Sequence, residues 1–150
     1  MEDNMEKLEI KVGAFDYLRA SSCYVRMSVF VLERDLSLED EFDNNDRETT
    51  IYSVIFSNKK PISTARFLPR DEDIVRITRV ATLKEYRGKK LGTKVVRSLE
   101  NIAQQKNFKK IVIHSEMTAV TFYETLGYVR SGDIYQEDGV ACVNLIKTID

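Results

Sequence analysis

Leu8, Ile10 and Val12 alternate with Glu9 and Lys11, the two-residue period of a half-buried strand, and Gly13 closes it. Phe15, Leu18, Ser22, Val25 and Val29 then recur in steps of three and four, which predicts a helix with one apolar face running to about Phe30. No period governs the acidic stretch that follows. Two β-rich runs, Thr50 to Ser57 and Ile62 to Phe67, flank Asn58-Lys59-Lys60-Pro61 and predict an antiparallel hairpin with a turn closed by proline. A third strand is expected from Val75 to Leu83. Leu91, Val95, Leu99 and Ile102 form the buried stripe of a second helix ending near Asn107, with Gly88 and Gly92 at its N-terminus. Ile111-Val112-Ile113 is apolar without interruption, as in an interior strand covered on both faces, so a βαβ unit is expected here. A last short helix from about Thr118 to Leu126 stops at Gly127, and strands at Tyr128 to Ile134 and Val140 to Ile146 turn at Glu137-Asp138-Gly139. Hairpins around one crossover predict an α/β (α+β) fold, a mixed central sheet of about six to seven strands with helices on both faces.

The 150 residues are 43 % hydrophobic and 31 % charged, an ordinary globular balance at the length of a single domain over residues 1–150. Two cysteines, Cys23 and Cys142, and one histidine, His114, are too few for a disulfide framework or a structural zinc site, so no metal is expected. The opening, Met1-Glu2-Asp3-Asn4-Met5-Glu6-Lys7, is acidic and polar where a secretory signal is basic and then apolar. No apolar run approaches the roughly 18 residues of a membrane span, so a cytoplasmic chain without a membrane partner is expected. Net charge is −1, which argues against a general nucleic-acid binder, but the charges are segregated. Between Glu33 and Glu48, eight carboxylates (Glu33, Asp35, Glu39, Asp40, Glu41, Asp43, Asp46, Glu48) stand against Arg34 and Arg47, and the segment reads as a solvated loop. Between Lys84 and Lys110, nine cations stand against Glu85 and Glu100, a block that either decorates the surface or docks an anion. Aromatic residues are not interleaved with these cations, so single-stranded nucleic acid is not the expected partner.

The basic block coincides with a strand, a glycine-containing turn and a helix. The first turn of a helix carries unpaired N–H groups at the positive end of its dipole, where a phosphate fits. Gly88 and Gly92 allow close backbone approach, and Arg87, Lys89 and Lys90 add mobile positive charge. The spacing Gly-x-x-x-Gly, with no lysine directly after the second glycine, is neither a Walker loop nor the dinucleotide fingerprint. Taken alone, the stretch fits a basic helix cap as well as a ligand site. With its surroundings it says more. Val80-Ala81-Thr82-Leu83, then Tyr86-Arg87-Gly88-Lys89-Lys90-Leu91-Gly92-Thr93, then Phe122-Tyr123-Glu124-Thr125-Leu126-Gly127-Tyr128 resemble the GNAT superfamily of acetyl-CoA-dependent N-acetyltransferases. Val25-Arg26 leading to Val29-Phe30-Val31-Leu32-Glu33, Arg66, Arg79-Val80 and Tyr135-Gln136-Glu137-Asp138-Gly139-Val140 are similar to its ElaA-like subgroup, so the resemblance covers nearly the whole chain.

That resemblance implies a V-shaped splay between two central strands, acetyl-CoA as cosubstrate, and an amine acceptor; members often dimerise, so a homodimer is an expected assembly. Val80, Ala81 and Thr82 would pair their backbones with the pantetheine arm like an added strand, and the Val80 N–H would polarise the thioester carbonyl. The pyrophosphate would lie on the N–H groups of Gly88, Lys89, Lys90, Leu91, Gly92 and Thr93, near the side chains of Arg87, Lys89 and Lys90. Tyr123 stands where the family has the tyrosine that protonates the departing thiolate, and a phenol and a thiol, at roughly 10 and 8.5, are matched for the transfer. Outside the motif it reads as a core aromatic beside Phe122, since Ala119, Phe122 and Leu126 already form the apolar face of the helix.

The acceptor's ammonium must lose a proton, which from a reference near 10.4 costs about 4.6 kcal/mol at pH 7. The position of the carboxylate base in many members corresponds to Ile111, leaving Glu116, His114, Glu33 or a water chain along the acidic segment. Glu116 replaces an Asn or Gln that holds pantetheine, so it is the base, a lost cofactor contact, or an outward-facing helix cap. Cys142 replaces a subgroup histidine and reads most simply as a small buried strand residue. Arg26, Arg66 and Arg79 match subgroup arginines, and arginine on interior strands implies pairing with Glu33 or with a substrate carboxylate. Glu33, Arg66 and Arg79 are therefore the expected acceptor-binding residues, with the acidic segment drawing a cationic amine to the mouth opposite the cofactor. Neither cysteine pairs with His114 in a nucleophilic arrangement, so transfer to the amine is expected to be direct. The alternative reading is a non-catalytic acyl-CoA-binding or regulatory module.

Overall fold

The alternating start of the chain becomes β1 (Leu8–Gly13), an edge strand whose Leu8 and Ile10 stay exposed because only one neighbour, β2 (Ile51–Ser57), pairs with it. The computed structural model describes residues 7–149; the polar opening before them lies outside the described residues. α1 (Asp16–Arg26) turns Leu18, Ser22 and Val25 inward as its spacing requires. Phe15 does not join that face. It is the extended residue preceding the helix, 58 % exposed and stacked on Tyr17. Nor does the helix stop at Phe30: from Met27 to Glu33 it widens into π-helical turns that keep Val29 buried.

The hairpin is tighter than its sequence suggests. Asn58 and Lys59 alone make the turn, with φ of 48° and 75°, the left-handed pair of a type I′ turn. Lys60 and Pro61 already belong to β3 (Lys60–Pro69). β4 (Ile74–Thr82) follows antiparallel, and α3 (Leu91–Gln105) crosses to β5 (Lys110–Glu116), parallel to β4. A short α4 (Val120–Thr125) leads to β6 (Val129–Glu137) and β7 (Val140–Thr148). The sheet order is β1-β2-β3-β4-β5-β7-β6. α3 lays Leu91, Val95 and Leu99 over Val75, Ile77, Ile111 and Ile113 to form the main core, while α1 covers Tyr52 and Val54 on the opposite face with Leu18. Among the described residues no helix is long and apolar enough to cross a membrane.

Two irregularities shape the centre. β4 and β5 are in register at only three positions, Ile74 with Lys110, Val75 with Ile111 and Arg76 with Val112, although both strands continue; beyond Arg76 they diverge into a V. In the diverging part of β4 the register with β3 slips by one residue between Thr78 and Ala81, and Arg79 there has a φ of 55°. An extra residue with left-handed backbone is a β-bulge, which re-aims the strand locally.

The acidic segment is only in part a solvated loop. It contains α2 (Leu38–Glu41), capped by the Ser37 hydroxyl accepting from the Asp40 N–H at 3.3 Å, and it turns Glu41, Asp43 and Asp46 inward while Glu33, Asp35, Glu39, Asp40 and Glu48 stay exposed. Arg26, 0 % exposed, donates from Nε to Glu41 Oε2 at 3.0 Å and from Nη1 and Nη2 to Asp46 at 2.7 and 2.9 Å. Arg66, 1 % exposed, donates to Asp43 at 3.0 Å and to the Thr78 hydroxyl at 3.0 Å, with Asp46 3.1 Å away. Tyr52 adds a bond to Asp46 at 2.6 Å. Burial alone would raise the Asp46 pKa, but hydrogen bonds from Arg26 and Tyr52 and the charges of Arg26 and Arg66 hold it well below the usual carboxylate range.

Candidate active site

The V holds a cavity of about 280 Å³. Its floor and walls come from the two diverging strands, Ile77 to Val80 and Ile113 to Glu116. Tyr123 of α4 lines it on one side, Phe30 and Arg34 at the end of the π turn on another, and the turn at Glu137 and Asp138 closes it from the C-terminal hairpin. Of the expected catalytic and acceptor residues, the structure thus brings together Val80, Arg79, Glu116 and Tyr123.

Arg79 and Val80 have no register partner in β3, and β5 has already left this stretch of β4. The edge of β4 facing the V is an open ladder, able to take an extended chain as an additional strand. The bulge is pinned from outside: Arg79 pairs with Glu41 at 2.9 Å and with Asp43 at 3.4 Å. The expectation that Arg66 and Arg79 bind an acceptor is therefore revised. Arg66 is sealed in the ion cluster, and Arg79, which touches the cavity, spends its guanidinium on Glu41 and Asp43. Arg26 pairs with Glu41 and Asp46, not with Glu33.

Past the open strand, Gly88 has a φ of 83° and Lys90, the residue that caps α3, a φ of 63°. No side chain caps this helix, so the first N–H groups of α3 face outward from a left-handed loop. A Cβ on Gly88 would meet nothing within 4 Å, whereas one on Gly92 would come within 3.3 Å of Phe122 Cζ. Gly88 thus supplies backbone conformation, and Gly92 lets α4 pack against α3. The loop fits an anion such as a diphosphate. Arg87 differs from expectation. Its Nη groups donate to both Glu33 oxygens at 2.7 Å and its Nε to the Thr82 carbonyl at 2.9 Å. Glu33, expected in the acceptor site, is engaged there instead, and the Arg87 guanidinium holds its carboxyl below the ordinary value. Lys89 lies over the Tyr86 ring at 5.4 Å.

Tyr123 is 7 % exposed, edge-on to Phe122 and Tyr128 with centroids 4.9 and 6.1 Å away. The buried face of α4 is Val120 and Tyr123, with Phe122 half buried over Gly92, so the ring is part of the core while the residue also lines the V. Burial, and then the nearby Glu116 charge, push its hydroxyl up from the ordinary phenol value, which keeps it protonated at neutral pH. Glu116 precedes the turn at Met117–Ala119 yet does not cap it. Its oxygens accept from Arg34 Nη2 at 2.7 and 3.0 Å. His114 faces away from buried Ile113, lines the V, and is pushed below its ordinary pKa by burial and by Arg76 and Arg70. Cys142, buried and opposite Glu116 in register, also lines the cavity, and burial raises its thiol.

Arg34 does not stand out in the sequence, and Phe30 and the Glu137-Asp138 turn stand out there as parts of the resemblance without a place in the site. Arg34 had registered only as one cation in an acidic run, and nothing local to it points to Glu116.

The chain matches the acetyltransferase (GNAT) domain family over residues 21–149. It is 45 % identical over 112 residues, 75 % of this chain and 77 % of the relative, to an uncharacterized acetyltransferase in the arcA 3′ region of Streptococcus pyogenes. Among solved structures it is similar to a candidate N-acetyltransferase from Lactobacillus plantarum, with a TM-score of 0.90 at 36 % identity covering 94 % of this chain and 97 % of that one. Escherichia coli ElaA shares the fold, with a TM-score of 0.80 at 21 % identity over 95 % of this chain and 99 % of that one.

Proposed function

Because this chain belongs to the GNAT acetyltransferase family and is an acyl-CoA-dependent acyltransferase, we propose that it transfers an acetyl group from acetyl-CoA directly to a primary amine. The observation that carries this reading is the open edge of β4 at the Arg79 bulge, facing a protonated Tyr123 across the V. Val80, Ala81 and Thr82 offer backbone groups to the pantetheine arm. The left-handed loop from Gly88 to Thr93 receives the diphosphate, with Lys89 and Lys90 supplying charge and Arg87 bracing the loop through Glu33. The Val80 N–H stabilises the oxyanion that develops on the thioester carbonyl. Tyr123 donates its proton to the leaving sulfur.

For the ammonium proton, Glu116 is a carboxylate on the β5 arm of the V, and Arg34 holds it in place. A second reading gives that proton to His114, favoured because its depressed pKa keeps the imidazole neutral and able to accept at neutral pH. Glu116→Gln and His114→Gln separate the two, since only loss of the base removes the step in kcat/KM set by that group and leaves the rise due to the amine's own deprotonation.

The reading is tested by thiol release from acetyl-CoA across a panel of amines. The expected result is turnover by the wild type, a loss of roughly 100-fold in kcat for Tyr123→Phe, and unchanged CoA affinity by calorimetry. An unchanged Tyr123→Phe rate would remove the acid assignment. Thermal stabilisation by CoA without turnover of any amine would leave a binding module.

A further inference from the structure

Every interior arginine on the α1 face of the sheet is matched by acid or hydroxyl except one. Arg76 stands on the last paired rung of β4, opposite Val112, immediately before the strands part. Its position in the strand alternation places it on the same face as Thr78, whose hydroxyl receives Arg66. Among the described residues Arg76 has no hydrogen bond and no ion pair, and its Nε is buried without a partner. Burial and the like charges of Arg66, Arg70 and Arg79 push its guanidinium below the ordinary value, and the Glu137 charge only partly opposes them. His114 feels the charges of Arg76 and Arg70, so this cationic spot adjoins the histidine that lines the V. Nearby, the Tyr135 hydroxyl is tied to Asn144 at 2.9 Å. A buried N–H left unpaired in the free protein calls for an explanation, a functional role among them.

We propose that Arg76 recognises a carboxylate on the acceptor, so that the substrate is an amino acid whose reacting amine lies in the V and whose carboxylate reaches past its rim to Arg76, on the rung before the strands part. This rests on the acetyltransferase reading above and names its acceptor class. A guanidinium presents its Nε and Nη hydrogens as a planar fork that matches the two oxygens of a carboxylate. A dianionic phosphate is less suited, because Glu137 contributes negative charge to the same place. Four residues of strand, at about 3.3 Å each, separate Arg76 from Val80, at most roughly 13 Å between their backbones, and the bulge at Arg79 shortens it. The reach of the arginine side chain shortens that span, so the amine lies several bonds from the carboxylate, as in an ω-amino acid or a free lysine side chain.

The test begins with binding, which needs no turnover. The full chain saturated with CoA is titrated calorimetrically with 6-aminohexanoate, with its neutral amide, and with the corresponding aminoalkyl phosphate. The expected result is at least tenfold tighter binding of the carboxylate than of the amide, abolished in Arg76→Gln and partly kept in Arg76→Lys. Acetylation of 6-aminohexanoate by Arg76→Gln should show a raised KM, and with the wild type a series of shorter and longer ω-amino acids should show a rate optimum. Equal affinity for carboxylate and amide in the wild type, or a preference that survives in Arg76→Gln, would overturn the proposal; tighter binding of the phosphate would overturn the choice of carboxylate. If Arg76→Gln fails to fold, the wild-type comparison of the pair still decides. A carboxylate preference without acetylation of any amine would uphold the anion site and sink the acetyltransferase reading instead.

Discussion

Gly88 and Gly92 share one loop but are glycine for different reasons, and the two substitutions should fail differently. Gly88→Ala meets open space yet must hold a φ of 83°, which costs about 1–2 kcal/mol for a side chain with a Cβ. A lower melting temperature and a raised KM for acetyl-CoA are expected, with kcat little changed. Gly92→Ala keeps a helical backbone but places its Cβ 3.3 Å from Phe122, so α4 must yield and carry Tyr123 with it. Here kcat should fall more than KM rises, and steady-state kinetics on the two variants tell the cases apart. The sequence marked both glycines as ligand positions. Only the contact with Phe122, thirty residues away, reveals that Gly92 serves packing.

At the scale of elements, the ion cluster beneath the bulge decides the response to acid. Asp46 has a native pKa held below its unfolded value near 3.9, so its stabilisation is fully present above that value and is lost as pH falls through the native one. Denaturant melts of the wild type should lose stability below about pH 4, and Asp46→Asn should be less stable at pH 7 with a flatter acid limb. Arg26→Met, which leaves Glu41 to Arg79 and Asp46 to Arg66 alone, should cost about 3 kcal/mol, the low end for breaking a buried pair. The helices and most strands were legible because their periods are local. The cluster joins residues as far as 38 positions apart, and no period reports it. The available signal was chemical: three arginines expected inside the fold, and one run of carboxylates in excess. The π turn and the slipped register of β4 had no signal in the hydrophobic pattern, because both insert a residue without altering which types are apolar.

At the scale of the molecule, the cleft comes from a sheet that cannot stay paired along its whole length, and its mouth is spanned by the end of the first helix. Glu33 holds Arg87 beside the β4 arm, and Arg34 holds Glu116 at the tip of the β5 arm. The expectation of a V was sound, and it came from the resemblance to the GNAT superfamily. Its crossing ties were not visible, because Arg34 and Glu116 are 82 positions apart. Two neighbouring residues of opposite sign, each fastened to a different arm, act as a double latch. Two ties on one short segment are expected to be redundant, loss of one being masked by the other. In stopped-flow measurements of CoA dissociation, Glu33→Gln and Arg34→Gln should each change the rate by less than about threefold, and the pair together by more than about tenfold, a strongly non-additive cycle. A coenzyme threading this opening would then pass a toggle that responds to both fastenings at once.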